Sequence, residues 1–156
     1  MNVTSASSHI FVESGDVTGG TTSGGTSTSG IAIPTFSGDT GGVQIDFDNA
    51  PTETYAGQVN VSSAGSLAQA LDIAAAAASA SGPGGSVPAD TGILDWFQYA
   101  GNTYVVEAVN PTPHDAGQTA LTATDAVVEI VGSVDLDTSS VALLNGSPFS
   151  SGMLTV

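Results

Sequence analysis

The sequence lacks every side chain that carries a permanent positive charge, since it contains no Lys and no Arg. It has 15 Asp and Glu residues and a formal net charge of −15 at pH 7, which only two His residues and the amino terminus can offset. Nucleic acids and anionic membranes are bound chiefly through Lys and Arg. The composition therefore excludes both as partners, and it also excludes a P-loop, a Schiff-base enzyme and an arginine clamp.

The carboxylates have no Lys or Arg with which to form salt bridges. Two carboxylates held about 4 Å apart repel each other by about 4 kcal/mol at an effective dielectric constant of roughly 20. Acidic clusters must consequently stay apart, bind protons or bind a metal ion. We expect divalent cations from outside the protein, calcium first, to supply the counter-charge.

Cysteine and long apolar runs are also absent. Without cysteine there can be no disulfide and no thiolate metal site. The first residues have neither the basic nor the apolar segment of a secretory signal peptide, and no apolar run approaches the roughly 20 residues that span a bilayer. We therefore expect no membrane insertion, and we expect any export signal to lie elsewhere in the chain.

Residues 1–42 are dominated by Gly, Ser and Thr, a composition typical of a linker or an extended arm. The arm contains two short β-prone islands, whose aliphatic side chains include Ile10, Val12, Ile31 and Ile33. Fixing a flexible backbone costs about 1–2 kcal/mol per residue, which so few apolar groups cannot offset. We expect these four residues to pair with the sheet of a second copy of the chain, so that the arm is an intersubunit strand donor.

The remainder of the chain, residues 43–156, is predicted to form one mainly β domain, a sheet or sandwich-like structure with a single helix. Period-two alternation of apolar and polar residues predicts strands, and a capping-box spacing before an alanine-rich stretch predicts the helix. The predicted elements are a strand at 43–48, a helix at 66–80, a hairpin of 93–99 with 103–109 around a loop at 100–102, and strands at 126–131 and 133–136.

Several segments of this domain occur in an order that is typical of one family. They are Leu67-Ala68-Gln69, the alanine run, Trp96-Phe97-Gln98-Tyr99, Asn102-Thr103-Tyr104-Val105-Val106, Asp125-Ala126-Val127-Val128 and Gly132-Ser133-Val134-Asp135-Leu136. Over about residues 65–156 the chain resembles the C-terminal region of RTX-type and S-layer proteins exported by type I secretion. The resemblance implies an uncleaved export signal at about residues 93–156, recognised by the type I export machinery, and folding outside the cell where calcium is plentiful.

The sequence departs from this family in two respects. Relatives usually carry arrays of the calcium-binding nonapeptide Gly-Gly-x-Gly-x-Asp-x-hydrophobic-x, whereas this chain has at most one degraded copy, at residues 41–49. There Gln44 replaces the turn glycine and Asp48 replaces the buried apolar residue, so an amphipathic strand explains the segment better. In addition, Glu129 stands where relatives often carry Lys, so the binding partners of the family do not transfer directly.

Two pairs of carboxylates are candidate calcium ligands, Asp46 with Asp48 and Asp135 with Asp137. In an extended segment the members of each pair lie on one face, about 6–7 Å apart. Calcium takes about six to eight oxygen ligands, so either pair could supply part of a site that loop carbonyl groups complete. The alternative interpretation is a solvated strand edge, whose charges discourage unwanted pairing.

Catalysis is not expected. The chain has no Gly-x-Ser-x-Gly segment, His114 lies in a proline-rich turn, and His9 and His114 lack the spacing of a helical zinc pair. The sequence therefore predicts an extracellular structural protein of the bacterial cell surface, a self-assembling subunit of a filament or an S-layer-like lattice. The alternative is a small calcium-dependent adhesive or carbohydrate-binding module that uses Trp96, Tyr99 and Tyr104, which exposed rings would favour and buried rings would oppose.

Overall fold

The computed structural model describes ten stretches of the chain. They are residues 9–12, 33, 35–36, 44–47, 52–81, 91–109, 119–122, 124–136, 141–142 and 152–155. Their elements are β1 His9–Val12, β2 Thr35–Phe36, β3 Gln44–Phe47, β4 Thr52–Gln58, α1 Leu67–Ser81, β5 Thr91–Tyr99, β6 Asn102–Val109, β7 Ala126–Ile130, β8 Val141–Ala142 and β9 Gly152–Thr155. The prediction of a mainly β fold with one helix is confirmed for this part of the chain.

The larger sheet has five strands in the order β2-β7-β6-β5-β4. β5, β6 and β7 are antiparallel neighbours, while β2 lies parallel to β7 and β4 lies parallel to β5. β5 and β6 are buried along most of their length, as expected for central strands that are covered on both faces. They form the centre of the hydrophobic core, which includes Trp96, Phe97 and Val105.

The predicted hairpin is confirmed, with a shorter turn than the sequence suggested. Only Ala100 and Gly101 lie between the strands, because Asn102 already pairs with Tyr99. Both turn residues have positive φ, 51° at Ala100 and 87° at Gly101, which is the pattern of a type I′ turn. Such a turn follows the right-handed twist of the strands, so β5 and β6 stay in register without a bulge.

The helix begins with the predicted capping residues. The backbone N–H of Gln69 donates to Ser66 Oγ at 3.2 Å, and Gln69 Oε1 accepts from the backbone N–H of Gly65 at 2.6 Å. The first bond satisfies one of the N–H groups that a helix start leaves without a partner. α1 then packs on the larger sheet, where Ala78 lies in a small apolar cluster with one residue each from β5 and β6. Within the described residues, no helix has the length and apolar character needed to cross a bilayer.

The smaller sheet has four strands in the order β1-β3-β9-β8. β1 runs parallel to β3, with Ile10 opposite Ile45 and Val12 opposite Phe47. β9 is antiparallel to both of its neighbours, β3 and β8. The Phe47 side chain is fully buried in the core that the larger sheet also contributes to. The predicted strand at 43–48 is thus confirmed as β3.

The predicted strand at 133–136 is wrong, because residues 131–136 form no strand. The segment is instead held against the larger sheet by side chains. The Thr103 hydroxyl accepts a hydrogen bond from the Val134 N–H at 2.8 Å and lies 3.0 Å from the Gly132 carbonyl oxygen. Tyr55 Oη donates to the Leu136 carbonyl at 2.9 Å. The apolar alternation at Val134 and Leu136 therefore reflects packing on the core and not pairing in a sheet.

Four of the described strands were not predicted from the sequence, namely β2, β4, β8 and β9, and β4 is the longest of them. Its residues, TETYAGQ, include few of the branched apolar side chains that indicate a strand. It lies at the edge of the larger sheet, and its register against β5 shifts between Tyr55 and Gly57. Gly57 has a φ of 102°, which a residue with a side chain rarely adopts. The shift interrupts the period-two pattern on which a strand prediction depends.

Candidate functional site

Each predicted calcium pair has one member in the described part of the chain. Asp46 lies in β3, at a register position opposite Phe11 of β1 and Met153 of β9. Asp135 is exposed in the 131–136 segment, while Asp48 and Asp137 lie outside the described residues. Across the described ranges there is no group of three or more His, Asp or Glu side chains that could hold a metal ion. The calcium site stays a prediction.

The four residues predicted to mediate assembly do not lie together in the structure. Ile10 and Val12 belong to β1, which pairs with β3 of the same chain. Ile33 is half-buried and packs against the core of its own chain, and Ile31 lies outside the described residues. Only the β1 pair therefore occupies a strand at the edge of a sheet, and its role between subunits stays a prediction.

The three aromatic residues of the alternative function do not form an exposed platform. Trp96 is 1% exposed and Tyr104 is 4% exposed, and the Tyr104 ring stacks on Phe97 with centroids 5.2 Å apart. Only Tyr99 reaches the surface, where it is half-buried. Two of these rings are core residues, so they cannot bind a sugar.

Glu129 accepts hydrogen bonds in a way that a lysine could not. Tyr104 Oη and Asn102 Nδ2 both donate to Glu129 Oε1, each at 2.7 Å. Burial first, and then the hydrogen bond and the charge of Glu129, raise the pKa of Tyr104 to about 12. Asn102 Oδ1 in turn accepts from the Gly132 N–H at 3.1 Å. The carboxylate thus joins β6 to β7, and its hydrogen bonds are structural.

Two further buried acids hold the backbone that precedes β7. Asp125 Oδ1 accepts from the Val109 N–H at 3.0 Å, and Asp125 Oδ2 accepts from the Thr122 N–H at 2.6 Å. Asp72 of α1 accepts from the Leu121 N–H at 3.1 Å. A carboxylate that accepts backbone N–H bonds satisfies donors that would otherwise be buried without a partner. These residues fix a loop and are poorly placed for chemistry on a ligand.

Asp95 is different, because its two carboxyl oxygens are buried and make no hydrogen bond within the described part of the chain. It lies in β5 between Gly57 of β4 and Val106 of β6. Alternation along β5 puts it on the same face as Ile93, which packs against the helix residue Ala78. Burial raises the pKa of Asp95 from 3.8 to about 8. In the sequence, Asp95 is the single acid within the apolar run from Ile93 to Phe97, and this pattern is the signal by which it could have been found.

An open groove lies where β4 ends and β5 turns into β6. Its volume is about 510 Å³, and its lining residues are Gln58, Val59, Asn60, Val61, Ser62, Ala64, Gln98, Tyr99 and Ala100. The Val59 N–H donates to the Trp96 carbonyl at 2.8 Å, which joins the two walls. Sequence reasoning missed the groove because its walls come from separate segments that only the β4–β5 pairing brings together.

Comparison of the sequence with models of known protein families, and with curated proteins, finds no match.

Proposed function

We propose that this chain is an extracellular structural protein of the bacterial surface, a self-assembling subunit of a filament or an S-layer-like lattice that is exported by type I secretion. The observation that carries the proposal is the position of β1. Among the described strands, this four-residue strand lies at the edge of the smaller sheet and pairs with β3 alone. Residues 13–43, which are rich in Gly, Ser and Thr, separate the two strands in the sequence.

A strand attached in this way can be exchanged between copies. Ile33 packs on the core and β2 pairs with β7, so residues 13–32 separate β1 from the nearest position that is fixed on its own chain. A Gly/Ser-rich segment of about 20 residues has a root-mean-square end-to-end distance of about 25 Å. That distance allows β1 to reach the equivalent edge of a neighbouring copy, where it would form the same backbone hydrogen bonds with β3. Exchange of identical elements is a low-cost route to association, and a head-to-tail contact that does not close on itself generates a filament.

The charge of the chain supports a location where cations are abundant. Copies with a net charge of −15 and no Lys or Arg repel one another. Their association requires screening by salt or binding of divalent cations, and calcium outside the cell would supply both. The resemblance of residues 65–156 to exported proteins supports the same location.

The burial of Trp96 and Tyr104 favours the structural role over the alternative of an aromatic sugar-binding surface. Their rings stabilise the core, where an exposed platform would have required them at the surface.

Deletion of residues 1–30 tests the proposal. The deletion removes β1 but keeps Ile33 and β2, which pack or pair within their own chain. We expect the shortened protein to remain folded, with Trp96 shielded from fluorescence quenchers, and to stay monomeric under conditions in which the full chain forms polymers by negative-stain microscopy.

A matched control replaces residues 13–30 with a Gly/Ser segment of the same length and leaves β1 in place. This variant should assemble like the full chain, because the replaced segment determines only how far β1 can extend from its own subunit. Assembly of the protein without residues 1–30 at the same rate and to the same extent as the full chain would show that exchange of β1 is not the mechanism.

A further inference from the structure

We propose that the groove between the end of β4 and the β5–β6 turn binds a neutral polysaccharide. The site is distinct from β1 and does not depend on self-assembly. With a volume of about 510 Å³, the groove falls in the range of roughly 300–1,000 Å³ that is typical of small-ligand sites.

The walls of the groove are held in place by backbone and side-chain hydrogen bonds. Besides the bond from Val59 to Trp96, the Ser62 N–H donates to Asn60 Oδ1 at 3.0 Å and the Ala64 N–H donates to the Val61 carbonyl at 2.9 Å. Residues 59–64 are thereby fixed in a turn next to β5. A site that is ordered before binding loses less conformational entropy when a ligand arrives.

The groove presents donors and acceptors together. Gln98 Nε2 donates to the Val134 carbonyl at 3.1 Å, which leaves Gln98 Oε1 as an acceptor. Asn60 uses its oxygen for Ser62 and retains the two donors of its Nδ2 group. Gln58 and the Tyr99 hydroxyl form no hydrogen bond with the described residues, and each can both donate and accept. A sugar hydroxyl, which also donates and accepts, matches such a surface.

The charge of the groove selects a neutral ligand. Among the described residues, its lining contains no carboxylate and no His, so it has no charged side chain to hold a cation. The molecule as a whole carries a charge of −15 without Lys or Arg, so phosphate, sulfate and uronate groups are repelled. With cationic and anionic ligands both disfavoured, the groove is best suited to a neutral ligand that carries hydroxyl groups.

The shape of the groove favours a polymer over a small enclosed ligand. Gln58, Asn60, Ser62 and Gln98 are all exposed, so the groove is open along its length and could not surround a small molecule as an enclosed pocket does. Tyr99 is half-buried and combines an apolar ring with a polar tip, against which the apolar face of a sugar ring can lie. A segment of an extended polysaccharide can lie along the open groove and place the apolar face of one sugar ring on Tyr99.

Saturation-transfer NMR on the full chain tests the proposal, because it detects signals of the ligand and tolerates an assembled protein. The probes are neutral hexamers of β-glucose, α-glucose, mannose, galactose and xylose, with a galacturonate hexamer as the acidic counterpart. We expect saturation transfer to at least one neutral hexamer at millimolar concentration and none to the galacturonate hexamer.

Two conservative variants locate the binding. Asn60→Asp keeps the acceptor for Ser62 but removes the two donors, and Tyr99→Phe keeps the ring but removes the hydroxyl. Each should weaken binding of the neutral hexamer by about threefold to tenfold, the effect of one lost hydrogen bond. Thr54→Ala, at an exposed position of β4 outside the groove, should leave the affinity unchanged.

Absence of saturation transfer to every neutral hexamer would overturn the proposal. So would equal binding of the galacturonate hexamer, or an affinity that neither Asn60→Asp nor Tyr99→Phe reduces. None of these outcomes bears on assembly through β1, since the deletion of residues 1–30 leaves every residue of the groove in place.

Discussion

The carboxyl group of Asp95 is fully buried, and no hydrogen-bond donor of the described residues reaches it. Its pKa of about 8 in the folded protein lies above the ordinary value of 3.8 that applies to the unfolded chain. Between these two values the folded state holds a proton that the unfolded state has released. Below pH 3.8 Asp95 is protonated in both states and does not reduce the free energy of unfolding. As the pH rises through about 8 this stability is lost, because the buried carboxyl group can then stay neutral only by keeping a proton that the unfolded chain releases.

Asp95→Asn should remove this pH dependence. The amide resembles the neutral carboxyl group in shape and cannot ionise. The stability of the variant should therefore be closer to that of the wild-type protein at pH 5 than at pH 8. At pH 8 we expect the variant to be the more stable protein, by on the order of a few kcal/mol. Thermal unfolding followed by circular dichroism at pH 5, 6, 7 and 8 measures the difference.

The comparison needs a control, because fourteen other acids also contribute repulsion that grows with pH. Asp135→Asn removes a charge at an exposed position and should leave the slope of melting temperature against pH close to that of the wild type. Within the described residues, Glu53 of β4, Asp72 of α1 and Glu107 of β6 are the acidic groups on the elements that pack against β5, and all three are unchanged in the two variants. Equal slopes for Asp95→Asn and Asp135→Asn would contradict the prediction.

At the scale of single elements, the β5–β6 turn contains a non-glycine residue, Ala100, in a backbone conformation that is unfavourable for it. Ala100 has a φ of 51°, a left-handed conformation that costs an L-residue with a Cβ atom roughly 1–2 kcal/mol. Asn and Gly are the usual residues at this position of a type I′ turn. The strain lies at one end of the groove, since Ala100 is part of its lining.

Ala100→Asn should therefore raise the free energy of unfolding by about 0.5–1 kcal/mol, and Gly101→Ala should lower it by about 1 kcal/mol. An added Cβ at Gly101 would meet no atom within 4 Å, so any loss there comes from the backbone conformation and not from a clash. Urea unfolding of the two variants and the wild type measures both effects. Stabilisation by Gly101→Ala would show that the turn has a different conformation in solution.

The helix and the hairpin could be predicted from the sequence because their hydrogen bonds are local, whereas β3 and β7 could be predicted as strands but without their partners. The helix follows from Ser66, Gln69 and the alanine run, and the hairpin follows from two apolar segments around Gly101. β4 and the 131–136 segment depend on partners far away in the sequence. β4 pairs in parallel with β5, and the carbonyl and N–H groups of Val134 bond to the side chains of Gln98 and Thr103. Local alternation carries no information on such partners.

The candidate sites also differ in whether the sequence could reveal them. Asp95 could have been recognised, because an acid inside a buried strand stands out in the sequence. The groove could not, since Gln58 and Asn60 become neighbours of Gln98 and Tyr99 only through the parallel pairing of β4 with β5. The calcium pairs were inferred from spacing within one segment, and spacing alone does not say which other oxygens surround them.

At the scale of the whole molecule, the excess of negative charge should make stability depend on calcium. We expect calcium at neutral pH to raise the melting temperature, and one site contributes about 2.7 kcal/mol when free calcium exceeds its dissociation constant about a hundredfold. Scanning calorimetry in calcium, in chelator, and in chelator with NaCl added to the same ionic strength separates binding from screening. Equal melting temperatures in all three solutions would exclude a calcium site that stabilises the fold.

The path of the chain through the two sheets sets a limit on when the protein can fold. Gln44 pairs with Thr155, Thr35 pairs with Glu129, and β8 pairs with β9. Among the described strands of the smaller sheet, β9 alone joins the β1–β3 pair to β8. Emergence of the chain in order, from a ribosome or through a narrow channel, would leave this sheet in two separate parts until Gly152–Thr155 had come out. Completion of the smaller sheet is thus postponed until β9 has emerged, whatever the order of local folding before it.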